Sequence, residues 1–133
     1  MEKLFVQKTD YSPEIILDHE NKIFEIKGES RPDNVREFYG KVFDWFTEYC
    51  NLLYFNNCKS YIELKLSFDY FNSTSTKTLY DIIAFLNNKS KNYNFDFKVV
   101  WFYRENDKDM LESGQELSTI LGLDFVFLKN EMV

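Results

Sequence analysis

Four hydroxyl-bearing residues stand in a row at Ser73-Thr74-Ser75-Thr76, where a strand-like pattern gives way to a helical one. One side chain suffices to accept from the free N–H groups of a helix's first turn, so four exceed what capping needs. The chemistry open to such a run is phosphate acceptance. A phosphoryl group would set about two negative charges beside helix amides able to hold them. Lys77 is placed to partner it. The same residues also read as a polar capping turn, and both readings stand at this point.

Other chemistry finds fewer residues. His19 is the only histidine, it falls in a turn pattern read as an exposed loop, and no nucleophile stands at a recognisable elbow, so a triad is not expected. A Gly-rich phosphate loop is missing from the sequence. Cys50 falls in a helical pattern and Cys58 just before a strand; both read as buried or half-buried thiols of a reducing compartment. With one histidine they do not make up a metal site. No catalytic residue, cofactor or metal is expected, and the chain does not read as an enzyme. Asp107 and Asp109, with Glu112 and Glu116, line the start of a third helix. They read as solvated acids favoured by the helix dipole, or as an acidic patch for a partner. Phe55, Tyr70, Phe71, Phe102 and Tyr103 fall near element ends, as packing residues or as a partner-binding rim. The candidate partner surface is therefore Asn72, Ser73, Thr74, Ser75 and Lys77, with Tyr103, Asp107 and Asp109.

The elements that position these residues follow from periodicity. Apolar runs at 4–8 and 14–18 flank Asp10-Tyr11-Ser12-Pro13 and suggest a hairpin. After a turn at Asp18–Asn21, Ile23–Lys27 reads as a strand, and Gly28–Asn34 as the most turn-like segment of the chain. Phe38, Tyr39, Val42, Phe43, Phe46, Tyr49, Leu52 and Leu53 recur at helical spacing. Ser30 or Asp33 would cap that helix, Pro32 would sit near its first position, and Gly40 suggests a short first turn before the main helix. Residues 60–71 alternate strictly, with Ile62, Leu64, Leu66, Phe68 and Tyr70 facing one way. A second helix carries Leu79, Ile82, Ile83 and Leu86 and ends in Asn87–Asn92. Phe95–Tyr103 reads as a strand buried on both sides. A third helix starts at Asn106-Asp107, is weakened at Gly114 and closes at Gly122, and Phe125–Leu128 is a last strand. Strand–helix–strand crossovers demand parallel neighbours. The expected fold class is α/β: a mixed sheet with about three helices packed on it, one domain over residues 1–133.

Composition narrows the function classes. The 133 residues are 44% hydrophobic and 19% aromatic, which supplies a sizeable core. Only 4 Gly and 2 Pro leave no flexible linker. The net charge of −6, with Lys and Arg scattered among acids, disfavours nucleic acid as a partner. The N-terminus does not resemble a signal peptide, and no apolar run approaches membrane-spanning length. A soluble, cytoplasmic protein without a membrane partner is expected.

Three groups of residues resemble the SiaC family of bacterial regulatory phosphoproteins. The first is Ile26-Lys27-Gly28-Glu29-Ser30-Arg31-Pro32-Asp33-Asn34 with Phe38-Tyr39 and Trp45. The second is Phe68-Asp69-Tyr70-Phe71-Asn72-Ser73-Thr74-Ser75-Thr76-Lys77. The third is Val100-Trp101-Phe102-Tyr103, Asp107-Lys108-Asp109-Met110 and Gly114-Gln115-Glu116. The resemblance covers about residues 22 to 128. It implies a STAS-like, anti-sigma-factor-antagonist-like fold and a partner switch. A kinase would phosphorylate the hydroxyl after the Tyr-Phe-Asn strand end and a PP2C-type phosphatase would remove the phosphate. The unphosphorylated form would bind an output protein, in the best-known branch a diguanylate cyclase that raises cyclic di-GMP. Carried over by position, the phosphosite is Ser73, with Thr74 and Ser75 as alternates, because the family usually has Thr here followed by serines. Gly40 stands where many members have proline. A constitutive scaffold of the same fold, and a small-molecule binder using the acidic and aromatic rim, are the competing readings.

Overall fold

The computed structural model describes residues 1–57, 59–93 and 95–130; the reading of Cys58 as a buried thiol lies outside these. The chain runs β1 (Leu4–Val6), β2 (Glu14–Asp18), β3 (Ile23–Ser30), α1 (Val35–Phe55), β4 (Ser60–Phe71), α2 (Ser73–Asn92), β5 (Phe95–Tyr103), α3 (Lys108–Leu121) and β6 (Val126–Lys129). All six strands form one sheet in the order β1-β2-β3-β4-β5-β6. The first two pairings are antiparallel, as short connections permit. The last three are parallel, each bridged by a helix. This is the mixed α/β sheet with three helices that the alternation of patterns predicts.

Strand alternation decides which face is covered. Ile15, Leu17, Phe24, Ile26, Ile62, Leu64, Leu66, Phe68, Val99 and Trp101 are buried, and they share one core with the buried residues of all three helices. Tyr39, Val42, Phe46, Tyr49 and Leu53 give α1 its inward stripe, and Leu79, Ile82, Ile83 and Leu86 do so for α2. The alternate residues Glu25, Lys27, Glu63, Lys65, Ser67 and Lys98 form a polar second face. As expected for an interior strand, β5 buries three residues in succession, Val99, Val100 and Trp101. Val100 lies in register between Lys65 and Val126.

Six local expectations are corrected. Strand β3 does not end at Lys27 but continues through the segment read as a turn. Gly28 adopts φ +123°, which a β-carbon disfavours. The pairing with β4 shifts register there, so the strand absorbs a bulge instead of breaking. Ser30 is thereby buried inside the fold, and the cap of α1 is Asn34, whose side chain accepts from the Glu37 N–H. Pro32 precedes the helix, and α1 runs unbroken through Gly40, where an added β-carbon would meet no other part of the fold within 4 Å. Helix α2 carries on through Asn87–Asn92 to its cap at Tyr93. His19 is half-buried, not exposed, with its ring 5.5 Å from that of Tyr49 and its Nε2 3.1 Å from the Met1 carbonyl.

Candidate functional site

The hydroxyl run owes its setting to the end of β4. Gly28 pairs with Phe68 and Glu29 with Tyr70, so Asp69 has no partner across the ladder. That extra residue reverses the alternation. Asp69 and Tyr70 both reach solvent, while Phe71 turns inward against Phe68 and Trp101 at ring distances of 5.5 and 5.9 Å. Tyr70, expected on the inner face, is 50% exposed. Asn72 follows and its backbone N–H donates to the Ser30 carbonyl, tying the start of α2 to the end of β3.

Asn72, not a hydroxyl of the run, caps α2. Its Oδ1 accepts from the Ser75 N–H at 2.9 Å and from the Thr74 hydroxyl at 3.1 Å. The Thr76 hydroxyl donates back to the Asn72 carbonyl. Ser75 is fully buried. Its Oγ donates to the Ser30 carbonyl at 3.1 Å and accepts from Ser30 Oγ at 2.9 Å. Because Ser30 has one proton and gives it to Ser75, the 2.6 Å contact between Ser30 Oγ and Tyr39 Oη is donated by Tyr39. Three buried hydroxyls from α1, β3 and α2 thus form a relay that ends on one carbonyl. Burial holds the Tyr39 hydroxyl far above its ordinary pKa, against a smaller opposing effect of the Ser30 hydrogen bond, so it stays a donor.

Ser73 differs from the other three. It is the first residue of α2, it is exposed, and its hydroxyl makes no hydrogen bond among the described residues. The first turn of α2 contains no acid, whereas those of α1 and α3 contain Glu37 and Asp109. The positive end of the α2 dipole is therefore uncompensated where Ser73 stands. Lys77, one turn on, is exposed and paired with Asp81 at 3.3 Å.

Neighbouring parallel strands β4 and β5 bring the starts of α2 and α3 to the same end of the sheet. Asp107 caps α3 by accepting from the Met110 N–H at 3.0 Å, as its position predicts. Asp109 is exposed in the first turn, and Tyr103 is half-buried with its carbonyl accepting from the Asn130 N–H. Trp101 holds α3 down: its Nε1 donates to the Met110 carbonyl at 3.0 Å, and its indole covers Gly114 so closely that a β-carbon there would meet Nε1 at 2.6 Å. The glycine that weakens this helix in sequence is what lets it dock.

Sequence reasoning missed Ser30, Tyr39 and Arg104. Ser30 carried one signal, the alternation Phe24, Ile26, Gly28, Ser30, which extends the inner face of β3 into the expected turn. Arg104 Nη2 bonds Asp69 Oδ1 at 2.8 Å across the ends of β5 and β4. No helix among the described residues is long and apolar enough to cross a membrane, and no cluster there of three or more His, Cys, Asp or Glu side chains could hold a metal ion.

Comparison with known proteins adds the family. No curated protein matches the chain. Among solved structures, it is similar to apo-SiaC from Pseudomonas aeruginosa, with 24% identity, 98% of this chain and 99% of that chain covered, and a TM-score of 0.79. It is also similar to a chain in the crystal structure of the diguanylate cyclase SiaD in complex with its activator SiaC from the same organism. There the identity is 23%, the coverage 96% of this chain and 99% of that one, and the TM-score 0.83. The family described as SiaC family regulatory phosphoprotein matches residues 6–130. With that match over nearly all of the sheet and helices, the chain belongs to the SiaC family of regulatory phosphoproteins.

Proposed function

We propose that this protein is a cytoplasmic, non-enzymatic partner switch gated by a phosphate on Ser73. The observation that carries the reading is the contrast within the run. Ser75 is locked in the core, Thr74 and Thr76 are bonded around Asn72, and Ser73 alone is exposed and unengaged on a helix start without a compensating acid. A kinase can reach this hydroxyl without unfolding the helix, and a PP2C-type phosphatase can remove the phosphate from the same surface. The unmodified surface, with the cap Asn72 and Ser73, Thr74 and Lys77 at the start of α2 and Tyr103, Asp107 and Asp109 from the neighbouring end of the sheet, docks on an output protein. In the similar Pseudomonas aeruginosa complex, SiaC is the activator of the diguanylate cyclase SiaD, and the partner proposed here is of that class. Phosphate adds charge and desolvation cost at the centre of the contact and releases it. The rival reading, a constitutive scaffold whose hydroxyls only cap a helix, has less support because the cap is Asn72.

The test is capture of the diguanylate cyclase from the same cells by wild type, Ser73→Ala and Ser73→Asp, read together with cyclic di-GMP output. Ser73→Ala should retain the cyclase in all growth states, and Ser73→Asp should lose it. Equal capture by both variants would defeat the gate, and a phosphopeptide map with phosphate only on Thr74 would move the site by one residue.

A further inference from the structure

A second feature lies on the polar face of the sheet, near the carboxyl ends of its strands, where open α/β sheets bind ligands. There β2, β3, β4 and the segments after β1, β5 and β6 enclose a cleft of about 330 Å³, within the range of small-molecule sites. Three cations line it, Lys8, Lys27 and Arg104, in a chain whose net charge is −6. They come from three separate places in the sequence and converge only in the fold.

The cleft is built in detail. Gly28 forms part of its wall at φ +123°, and the Lys8 stem lies over it, with Cδ and Cε 3.8 and 3.9 Å from where a β-carbon would stand. A side chain there would fill the space between the lysine stem and the sheet. A glycine at a bulge commonly marks a close approach of this kind. Asp69 falls on this face by the alternation of β4, in phase with Lys65 and Ser67, and anchors Arg104 from one side at 2.8 Å. Lys8 and Lys27 have no ion pair among the described residues. Ser67 accepts from the Asn130 side chain at 3.1 Å, which leaves its own O–H to donate.

We infer that this cleft binds a small phosphate monoester. Two free ammonium groups, a pre-anchored guanidinium and a hydroxyl donor approach from different sides. That suits a tetrahedral oxyanion, whose oxygens point in several directions, better than a planar carboxylate. Glu14, the remaining acid of the lining, stands opposite Lys27 across the β2–β3 ladder and accepts from hydroxyls on the organic part of the ester. This site does not rest on the partner-switch reading and uses none of its residues.

The test is a titration of the isotope-labelled, full-length protein at fixed ionic strength, followed by amide NMR. The probes are inorganic phosphate, adenosine 5′-monophosphate and, as a carboxylate control, succinate. Adenosine 5′-monophosphate should shift the Gly28, Ser67 and Asp69 amides saturably, and more tightly than inorganic phosphate. Lys27→Gln should weaken that binding about tenfold, and Lys8→Gln with Lys27→Gln should abolish it, while both variants keep the wild-type melting profile. No saturable shift at those amides in the millimolar range would overturn the inference, as would unchanged binding by the folded double variant. Tighter binding of succinate than of either phosphate would overturn the assignment of a phosphoryl group.

Discussion

Ser75→Ala tests the buried hydroxyl relay. In the wild type, Tyr39 donates to Ser30, Ser30 to Ser75, and Ser75 to the Ser30 carbonyl. Alanine removes both the acceptor of the Ser30 proton and a donor to that carbonyl. The carbonyl still receives the Asn72 N–H. The Ser30 proton can turn back toward Tyr39 only by orphaning the Tyr39 proton, so one buried donor goes unsatisfied in either arrangement. Such a group costs about 1–3 kcal/mol. For a chain of this length that lowers Tm by roughly 3–5 °C per kcal/mol. Tyr39→Phe removes only the outermost donor and leaves no orphan, so it should cost about 0.5–1.5 kcal/mol. Urea unfolding followed by the fluorescence of buried Trp45 and Trp101 reads both variants. A Ser75→Ala protein as stable as wild type, or a Tyr39→Phe protein destabilised more than it, would refute the donor direction assigned to the relay.

Three other outcomes follow from the same structure. Gly114→Ala gains about 1 kcal/mol of helix propensity but forces a methyl against the Trp101 indole, an overpacking that costs about 1–3 kcal/mol; a lowered Tm is expected, and a raised one would contradict the close approach. Burial pushes the Cys50 thiol up to about 11, so peptide-level alkylation in the native protein should spare it at about pH 8 and label it on unfolding. The Asp18 carboxylate lies below its ordinary value of 3.8, chiefly because the Asn21 side chain donates to it. Its stabilisation is therefore complete above that value and fades as pH falls through the lower folded one. Asp18→Asn should flatten the acid end of a stability-against-pH curve, and an unchanged curve would count against the turn.

Much of the sheet was legible because one covered face imposes a two-residue period. Ile62 to Phe68 reads correctly for that reason, and so does the doubly buried run in β5. The period failed at Tyr70, since the extra residue at Asp69 is accommodated by the backbone of Gly28 on another strand, far away in sequence. Helix ends were legible where the capping side chain is local, as at Asp107, and not where several candidates compete, as among Ser30, Asp33 and Asn34. In the candidate site the run itself stood out, but the difference between its hydroxyls did not. Ser75 is buried because Ser30, 45 residues earlier, receives it, and that pairing exists only once β3 and β4 are side by side. The converging cations of the polar face escaped notice for the same reason: Lys8, Lys27 and Arg104 are scattered along the chain and line one cleft only once the sheet has formed.

The strand order follows the chain order from one edge of the sheet to the other. During synthesis, each new strand can therefore add to an edge already in place, and no finished strand has to be prised open to admit a later one. The antiparallel β1–β3 segment needs only short loops and can form first, while each later parallel pairing waits for a whole helix to emerge. The relay beneath α2 needs β3, α1 and the start of α2 but nothing after them, so its parts are all present before β5 is made. A chain cut after α2 would retain the residues of the relay but lose Trp101, against which Phe71 closes the base of that helix. Growth from one edge therefore fixes the start of α2 in two stages, first by its relay and then by Trp101 when β5 is added.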